Sequence, residues 1–420
     1  MNPNPTAAGT GGSVRVNRCQ LCGSPRLKSI LFLGYLPPVN TMEPIGTRPK
    51  EEVFYPAELL HCGECELVQL GLIVDPAILF PPHYAYTSGT TRILRDNFAE
   101  LHAESSSLFP FPKEGLIVDI GSNDGTLLAN WKGSGHRVCG IEPTNAHKLA
   151  LEKGIPTINA FFGPESAAEV IRRHGRASRV TATNVFAHIE DVDSVVGSIL
   201  DLLDEGGIFI SESHYLLSLI ETLQYDTIYH EHLRYYSVTS LRHLLERRGL
   251  EIIHVKRIPT HGGSIRVYAA RKAERQAEPS VEAALAQEKR LLTPPAFAEF
   301  RQRISRSKLS LAALLSTIRA GNERVYGIGA PSRASTLVNH VALDETAVEC
   351  VLEIKGSYKI GKYMPGTLIP VTDEERLFSD PPEYALLFSW HIADELIPKF
   401  RGKGYRGRFI VPLPEPHIVE

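Results

Sequence analysis

Long apolar runs are missing from this chain. Nowhere in its 420 residues does an uncharged hydrophobic stretch reach the roughly eighteen positions a membrane helix needs, which excludes a helical membrane protein. Charge of one sign is missing too. The formal net charge is −3, so no global field draws nucleic acid or an anionic membrane, and no basic stripe interleaved with aromatics marks a nucleic-acid groove. Met1 to Ser13 is Gly, Pro, Thr and Ala without the basic and apolar regions of a signal peptide. Residues 1–14 therefore read as a disordered lead-in, and the protein as one that stays in the cytoplasm. What remains is a globular, monomeric protein with small-molecule partners, long enough for two or three units.

Cysteine is scarce at six residues, yet four of the six pair as Cys19-x-x-Cys22 and Cys62-x-x-Cys65. Four thiolates at this spacing give the closed S₄ coordination of a structural zinc ion. Disulfides are disfavoured in a reducing compartment. The 39 residues between the knuckles must loop out or form a small sheet of their own, and residues 15–75 read as a zinc-binding domain. Cys139 and Cys350 fall in apolar runs and read as core residues.

The stretch around which the chain is arranged is L-I-V-D-I-G-S-N-D-G, Leu116 to Gly125. A short β-branched run reads as a strand buried on both faces of a parallel sheet. Gly121 and Gly125 let the following turn approach a ligand closely. The dinucleotide fingerprint G-x-G-x-x-G cannot be drawn on this turn. Acidic residues beside glycines instead suit S-adenosylmethionine, which has no pyrophosphate and carries a cation at its amino acid end; Asp119, Asn123 and Asp124 are the candidates. A second strand, Arg137 to Ile141, ends in Glu142, placed to accept hydrogen bonds from ribose hydroxyls. Strand and helix then alternate to Glu212, which implies a doubly wound parallel sheet. Asn159, Ala160, Phe161, Thr183 and Asn184 lie at strand ends facing the cofactor, and His188 shares that rim nearer the substrate. Strands near Glu251–Pro259 and Gly263–Ala270 finish this domain, residues 76–272, antiparallel.

A second centre is L-Q-Y-D-T-I-Y-H-E-H-L-R-Y-Y, from Leu223. Tyr229, His230, Glu231 and His232 offer a base, an acid and hydroxyl donors, whereas H-E-H does not supply the H-E-x-x-H of a zinc protease. On an extended segment His230 and His232 would share one face and Glu231 the other. Tyr84 and Tyr86, in P-P-H-Y-A-Y, would likewise face one side and line a pocket or pack. Residues 273–319 read as a helical connector interrupted at Pro294 and Pro295. Beyond them V-Y-G-I-G-A-P-S-R-A, from Val325, is another strand–glycine turn–helix, whose helix N-terminus would stabilise an anion such as a diphosphate. Residues 320–420 read as a C-terminal Rossmann-like α/β domain, with Lys355, Lys359 and Lys362 near the turn and Trp390 and His391 at a strand end. The fold class is α/β in three domains.

C-Q-L-C and C-G-E-C, Y-A-Y-T-S-G, D-I-G-S-N-D-G, N-V-F-A-H-I, Y-H-E-H, G-A-P-S-R-A and K-Y-M-P-G-T-x-I-P-V, in that order over nearly the whole chain, resemble one family. It is that of the sugar C-methyltransferases acting on nucleotide-linked 4-keto-deoxysugars in antibiotic and polysaccharide pathways. The resemblance implies a dTDP- or GDP-linked sugar substrate held with help from the C-terminal domain. It also implies His232 as general base, with Tyr229, Glu231, His188 and one of Tyr84 or Tyr86 around the sugar. Ser332-Arg333 departs from the small residues and lysine expected in the C-terminal turn. An RNA methyltransferase and a two-cofactor oxidoreductase or nucleotide-binding regulator are the other readings.

Overall fold

A computed structural model describes residues 12–79 and 88–420. Among them are sheets of four, seven and six strands and a two-stranded ribbon. No helix of the described residues is long and apolar enough to cross a membrane.

The N-terminal sheet pairs Leu27–Leu36, Tyr55–Cys62 and Val68–Leu70 antiparallel. Tyr55–Cys62 alternates buried and half-buried positions, as a strand with one covered face must. The sheet's remaining strand comes from far along the chain: Arg234–Tyr235 pairs with Gln69 and Val68. A strand from within 76–272 thus completes the N-terminal sheet. Ser13 and Val14, which the composition placed in a lead-in, belong to the fold. Val14 pairs with Ile73 in the ribbon, and Ser13 is buried with its hydroxyl accepting from the amide of Asp75.

The central sheet runs Leu250–Ile258, Ser264–Arg271, Leu203–His214, Ala177–Thr183, Leu116–Ile120, Arg137–Ile141, Thr157–Ile158. Numbered by sequence from Leu116, the order is 3-2-1-4-5-7-6, with only the last strand antiparallel to its neighbours. A dinucleotide fold would be 3-2-1-4-5-6. The extra strand is bound in by charge. Arg266, fully buried, pairs through Nε with Glu212 at 2.6 Å, and Asn97 of the helix Arg92–Leu108 donates to the same carboxylate at 2.8 Å.

The C-terminal sheet runs Val371–Asp373, Cys350–Glu353, Val325–Ile328, Tyr384–Leu387, Arg408–Val411, His417–Val419. Its order is 3-2-1-4-5-6 and all but the last strand are parallel. Its topological switch point lies between Val325–Ile328 and Tyr384–Leu387, where doubly wound sheets bind ligands. The connector is two helices, Pro279–Leu291 and Pro294–Ala320, which pack into different cores. Pro294 and Pro295 open the second helix, where proline's missing amide is harmless. Phe297, Phe300, Ile304, Leu311 and Leu315 of that helix share one apolar core with Leu31 and Leu59 of the N-terminal sheet and Val338 of the C-terminal unit.

Candidate active site

The four knuckle cysteines converge. Their sulfur atoms all lie within 4.8 Å of one another, with Cys19 to Cys65 and Cys22 to Cys62 both at 3.5 Å. A tetrahedron with a Zn–S distance of ~2.3 Å has edges of about 3.8 Å, so the four sulfurs fit zinc with no position open for chemistry. The amides of Leu21 and Glu64 point at Cys19 and Cys62 sulfur, each at 3.4 Å, as donors to thiolate. Cys139 and Cys350 lie buried in strands.

The central glycine turn sits at its own sheet's switch point. Gly121 and Gly125 have φ of 67° and 75°, and a Cβ at Gly121 would lie 2.6 Å from the Val185 side chain, so both the conformation and the close approach need glycine. Asp119 is buried, accepts from the Thr181 hydroxyl at 2.6 Å, and is pushed up to about 7 by burial. Glu142 accepts the amides of Asn123 and Thr144 at 2.9 and 2.8 Å, one on each oxygen, and thereby joins the turn to the end of the second strand. Its remaining lone pairs are those available to ribose hydroxyls. These features fit S-adenosylmethionine. Asp124 is engaged within the protein, where its carboxylate takes Lys153 Nζ at 2.9 Å, the Thr126 hydroxyl at 2.7 Å and the Gly89 amide at 3.2 Å. Lys153 thus already balances the Asp124 charge within the protein. Asn123 receives the Ser88 amide at 2.9 Å, so both side chains fasten residues 88 and 89 to the turn. Asn159 donates to the carbonyls of Glu142 and Pro143, bracing the loop behind the acid. Ala160 is half-buried and Phe161 stands 84% exposed at this edge. Thr183 ends its strand, and Asn184, at φ 58°, lies 3.3 Å from His261 Nε2.

The Y-H-E-H stretch is a turn and not a strand. His232 donates its amide to the Tyr229 carbonyl at 3.0 Å, so the alternation of an extended segment is lost and the expected shared face of His230 and His232 is corrected. His230 faces the N-terminal sheet, with Nε2 3.3 Å from the Pro56 carbonyl and its ring edge against Tyr55. His232 faces the other way. Its Nδ1 donates to the Thr227 carbonyl at 2.9 Å, which fixes the proton on Nδ1 and leaves Nε2 as a lone pair. Around it stand Tyr229, with ring centroids 4.2 Å apart, and His188 and His214, each at 5.1 Å. His188 itself reaches the Glu231 carbonyl through Nδ1 at 2.7 Å. Burial, reinforced by the His188 ring, lowers His232 to about 3, so the imidazole is neutral. Burial pushes the Glu231 carboxyl up to about 8, and Asn40 of the N-terminal unit donates to it at 2.5 Å. Tyr84 and Tyr86 lie outside the described residues.

Side chains of the C-terminal unit hold a carboxylate of the segment before the Y-H-E-H turn. Arg333, in the first turn of the helix Ser332–Val341, forms a fork on Asp226, Nε to one oxygen at 2.8 Å and an NH₂ group to the other at 2.9 Å. Trp390 Nε1 donates to the same carboxylate at 2.8 Å, and His391 Nδ1 accepts from Arg333 at 2.8 Å. Asp226, two residues before Ile228 and the Y-H-E-H turn, is thus bound by side chains of the C-terminal unit. Glu353 accepts the Ala330 amide at 3.0 Å, occupying the position Glu142 holds in the central unit. Lys359 donates to the Ala330 carbonyl at 2.5 Å, and Lys355 pairs with Glu375 on the surface. Sequence reasoning missed Asn40, His214, Asp226, Thr227 and His261 as members of this site. For His214 and His261 a signal existed: imidazoles at the end of the strand Leu203–His214 and in the turn before Ser264.

A closed S₄ centre, a 3-2-1-4-5-7-6 sheet and a neutral imidazole at its carboxyl edge define a methyltransferase with a structural zinc. Family comparison agrees across the chain: residues 19–80 match a zinc binding domain, 90–255 a methyltransferase domain, and 259–414 the C-methyltransferase C-terminal domain. The C-methyltransferase NovU of Streptomyces niveus is 31% identical over 411 residues, covering 96% of this chain and 97% of NovU. The chain belongs to this family, the S-adenosylmethionine-dependent C-methyltransferases with an N-terminal zinc-binding region. Among solved structures, the CcbJ methyltransferase from Streptomyces caelestis is similar at 13% identity and a TM-score of 0.34, covering 42% of this chain and 90% of that one. A magnesium protoporphyrin IX methyltransferase from Synechocystis with bound S-adenosylmethionine is similar at 15% identity and a TM-score of 0.33, covering 42% of this chain and 79% of that one.

Proposed function

We propose that the enzyme methylates the carbon next to the ketone, C3, of a nucleotide-linked 4-keto-deoxysugar, with His232 as the base. The observation that carries this reading is the bond from His232 Nδ1 to the Thr227 carbonyl, which leaves an unprotonated Nε2 on a ring surrounded by Tyr229, His188 and His214. A ketone acidifies the neighbouring C–H, and Nε2 takes that proton while the electron pair moves to the carbonyl oxygen. Glu231, held protonated by burial, is a hydrogen-bond donor for the enolate oxygen, and the Tyr229 hydroxyl is a second. The negative charge forming on the enolate opposes the effect of burial and the neighbouring imidazoles, and so raises the basicity of His232 as the proton moves. S-adenosylmethionine supplies a methyl group on a sulfonium. The enolate carbon takes that methyl as the S–CH₃ bond breaks, and His232 then returns its proton to solvent.

Asp119, Gly121, Gly125 and Glu142 would hold the cofactor, with Asn123, Asn159, Thr183 and Asn184 shaping its loop. A zinc site built from four cysteines goes with a reducing, cytoplasmic setting. The test is to incubate the protein with labelled S-adenosylmethionine and, in parallel, dTDP- and GDP-linked 4-keto-deoxysugars and tRNA. We expect label in a sugar only, and C3 deuterium uptake in heavy water. Label in tRNA, or in sugar without C3 exchange, overturns the reading.

A further inference from the structure

The C-terminal unit has the strand order of a nucleotide-binding sheet, and side chains at its switch point hold a carboxylate from the segment that leads into the Y-H-E-H turn. Asp226 supplies it. The carboxylate receives both nitrogens of the Arg333 fork and the Trp390 indole, and the Arg333 guanidinium is further committed to His391 and, at 3.4 Å, to Gln224. Asp226 is fully buried and Arg333 is 7% exposed, so neither is open to a ligand from solvent.

Two residues along from Asp226, the Ile228 carbonyl accepts the hydroxyl of Thr336, one turn further down the same C-terminal helix. Thr227 lies between these anchors, and its carbonyl is the acceptor for His232 Nδ1. The peptide group that decides which nitrogen of His232 carries the proton is therefore gripped on both sides by residues about a hundred positions away.

We propose that the C-terminal unit is a positioning element for His232: Arg333, Trp390 and Thr336 seat the segment 226–228 so that the Thr227 carbonyl fixes the base as its Nδ1–H tautomer. Arg333 and Asp226 are thus positioning residues, acting through Thr227. The proposal rests on the reading of His232 as the base.

Full-length, zinc-loaded protein with ¹⁵N-labelled histidine tests it without substrate. The His232 signal, assigned by its loss in His232→Asn, is expected to show the Nδ1–H tautomer. Because removing one partner of a buried ion pair can unfold a protein, the variants are the neutral double substitution Asp226→Asn with Arg333→Gln, and Thr336→Val, which removes a single hydrogen bond. In both, we expect the His232 signal to move toward mixed tautomers. Turnover of a dTDP-linked 4-keto-deoxysugar should fall roughly tenfold to a hundredfold at unchanged S-adenosylmethionine affinity, as for a displaced catalytic group. An unchanged tautomer in a folded double variant overturns the proposal; if that variant does not fold, an unchanged tautomer in Thr336→Val does so. Turnover that survives His232→Asn overturns the base assignment instead, while the tautomer measurement still decides the clasp.

Discussion

His230 and His232 flank one residue, and the turn between them separates their chemistry. His230 meets the Pro56 carbonyl and Tyr55; His232 meets the Thr227 carbonyl and a ring of imidazoles. His232→Asn should bind S-adenosylmethionine normally in calorimetry and lose turnover by about two to four orders of magnitude, the range for a general base. His230→Asn should keep turnover in the folded fraction and lower the melting temperature, since it removes a buried ring from the contact with the N-terminal sheet. Loss of C3 exchange in His230→Asn with retention in His232→Asn would reverse the assignment. The density of histidine and tyrosine here was legible in the sequence because residue type is local information. Sidedness was not, because the Tyr229–His232 turn and a carbonyl fixed by distant residues decide it.

At the scale of elements, the alternation of strand and helix was readable because buried parallel strands carry β-branched runs and their turns carry glycine. Arg234–Tyr235 was not readable as a strand of the N-terminal sheet, since two residues hold no period and only tertiary contact with Gln69 and Val68 assigns them. The zinc knuckles show what such contact adds. Cys19, Cys62 and Cys65 share a core with Leu241, Leu244 and Leu245 of the helix Val238–Glu246, and Arg247 just beyond it donates to the Leu21 carbonyl. The same helix begins at a Ser237 cap, with Glu288 of the connector accepting the Val238 and Thr239 amides at 2.6 and 2.8 Å. Losing zinc should therefore loosen the packing beside the site as well as the knuckles. Cys62→Ser, or a strong chelator, should cost about 4 kcal/mol or more, the range associated with loss of a structural metal. Elemental analysis should find one zinc per chain in the parent and little in the variant. Full stability after complete removal of zinc would refute a structural role.

For the molecule as a whole, burial sets apart groups whose protonation differs between folded and unfolded chain. Burial lowers His188, His214, His230, His232, His261 and His391, and raises Asp119, Glu212 and Glu231. The signs oppose one another. A histidine near 3 or 4 when folded and at ~6.5 when unfolded binds its proton only after unfolding, so its stabilising contribution is complete above the unfolded value and lost as pH falls below it. A carboxyl held at about 8, as Glu231 is, keeps its proton when folded; its contribution is complete below ~4.5 and lost as pH rises toward the folded value. The six histidines outnumber the three acids, so we expect the melting temperature to fall as pH is lowered from about 6.5 to about 5. His230, only 1% exposed and lowered to about 4, isolates the effect. It alone should account for about 2 kcal/mol of the loss at pH 5, from a difference of about 1.4 kcal/mol per pH unit. His230→Asn, whatever its effect at neutral pH, should flatten the acid limb by that amount. Glu231→Gln, which removes the opposing titration, should steepen it. Denaturant melts of the three proteins at pH 7, 6 and 5 give the comparison. A His230→Asn acid limb parallel to the parent's would mean that His230 is already protonated in the fold, contrary to its burial against a backbone carbonyl and a tyrosine ring.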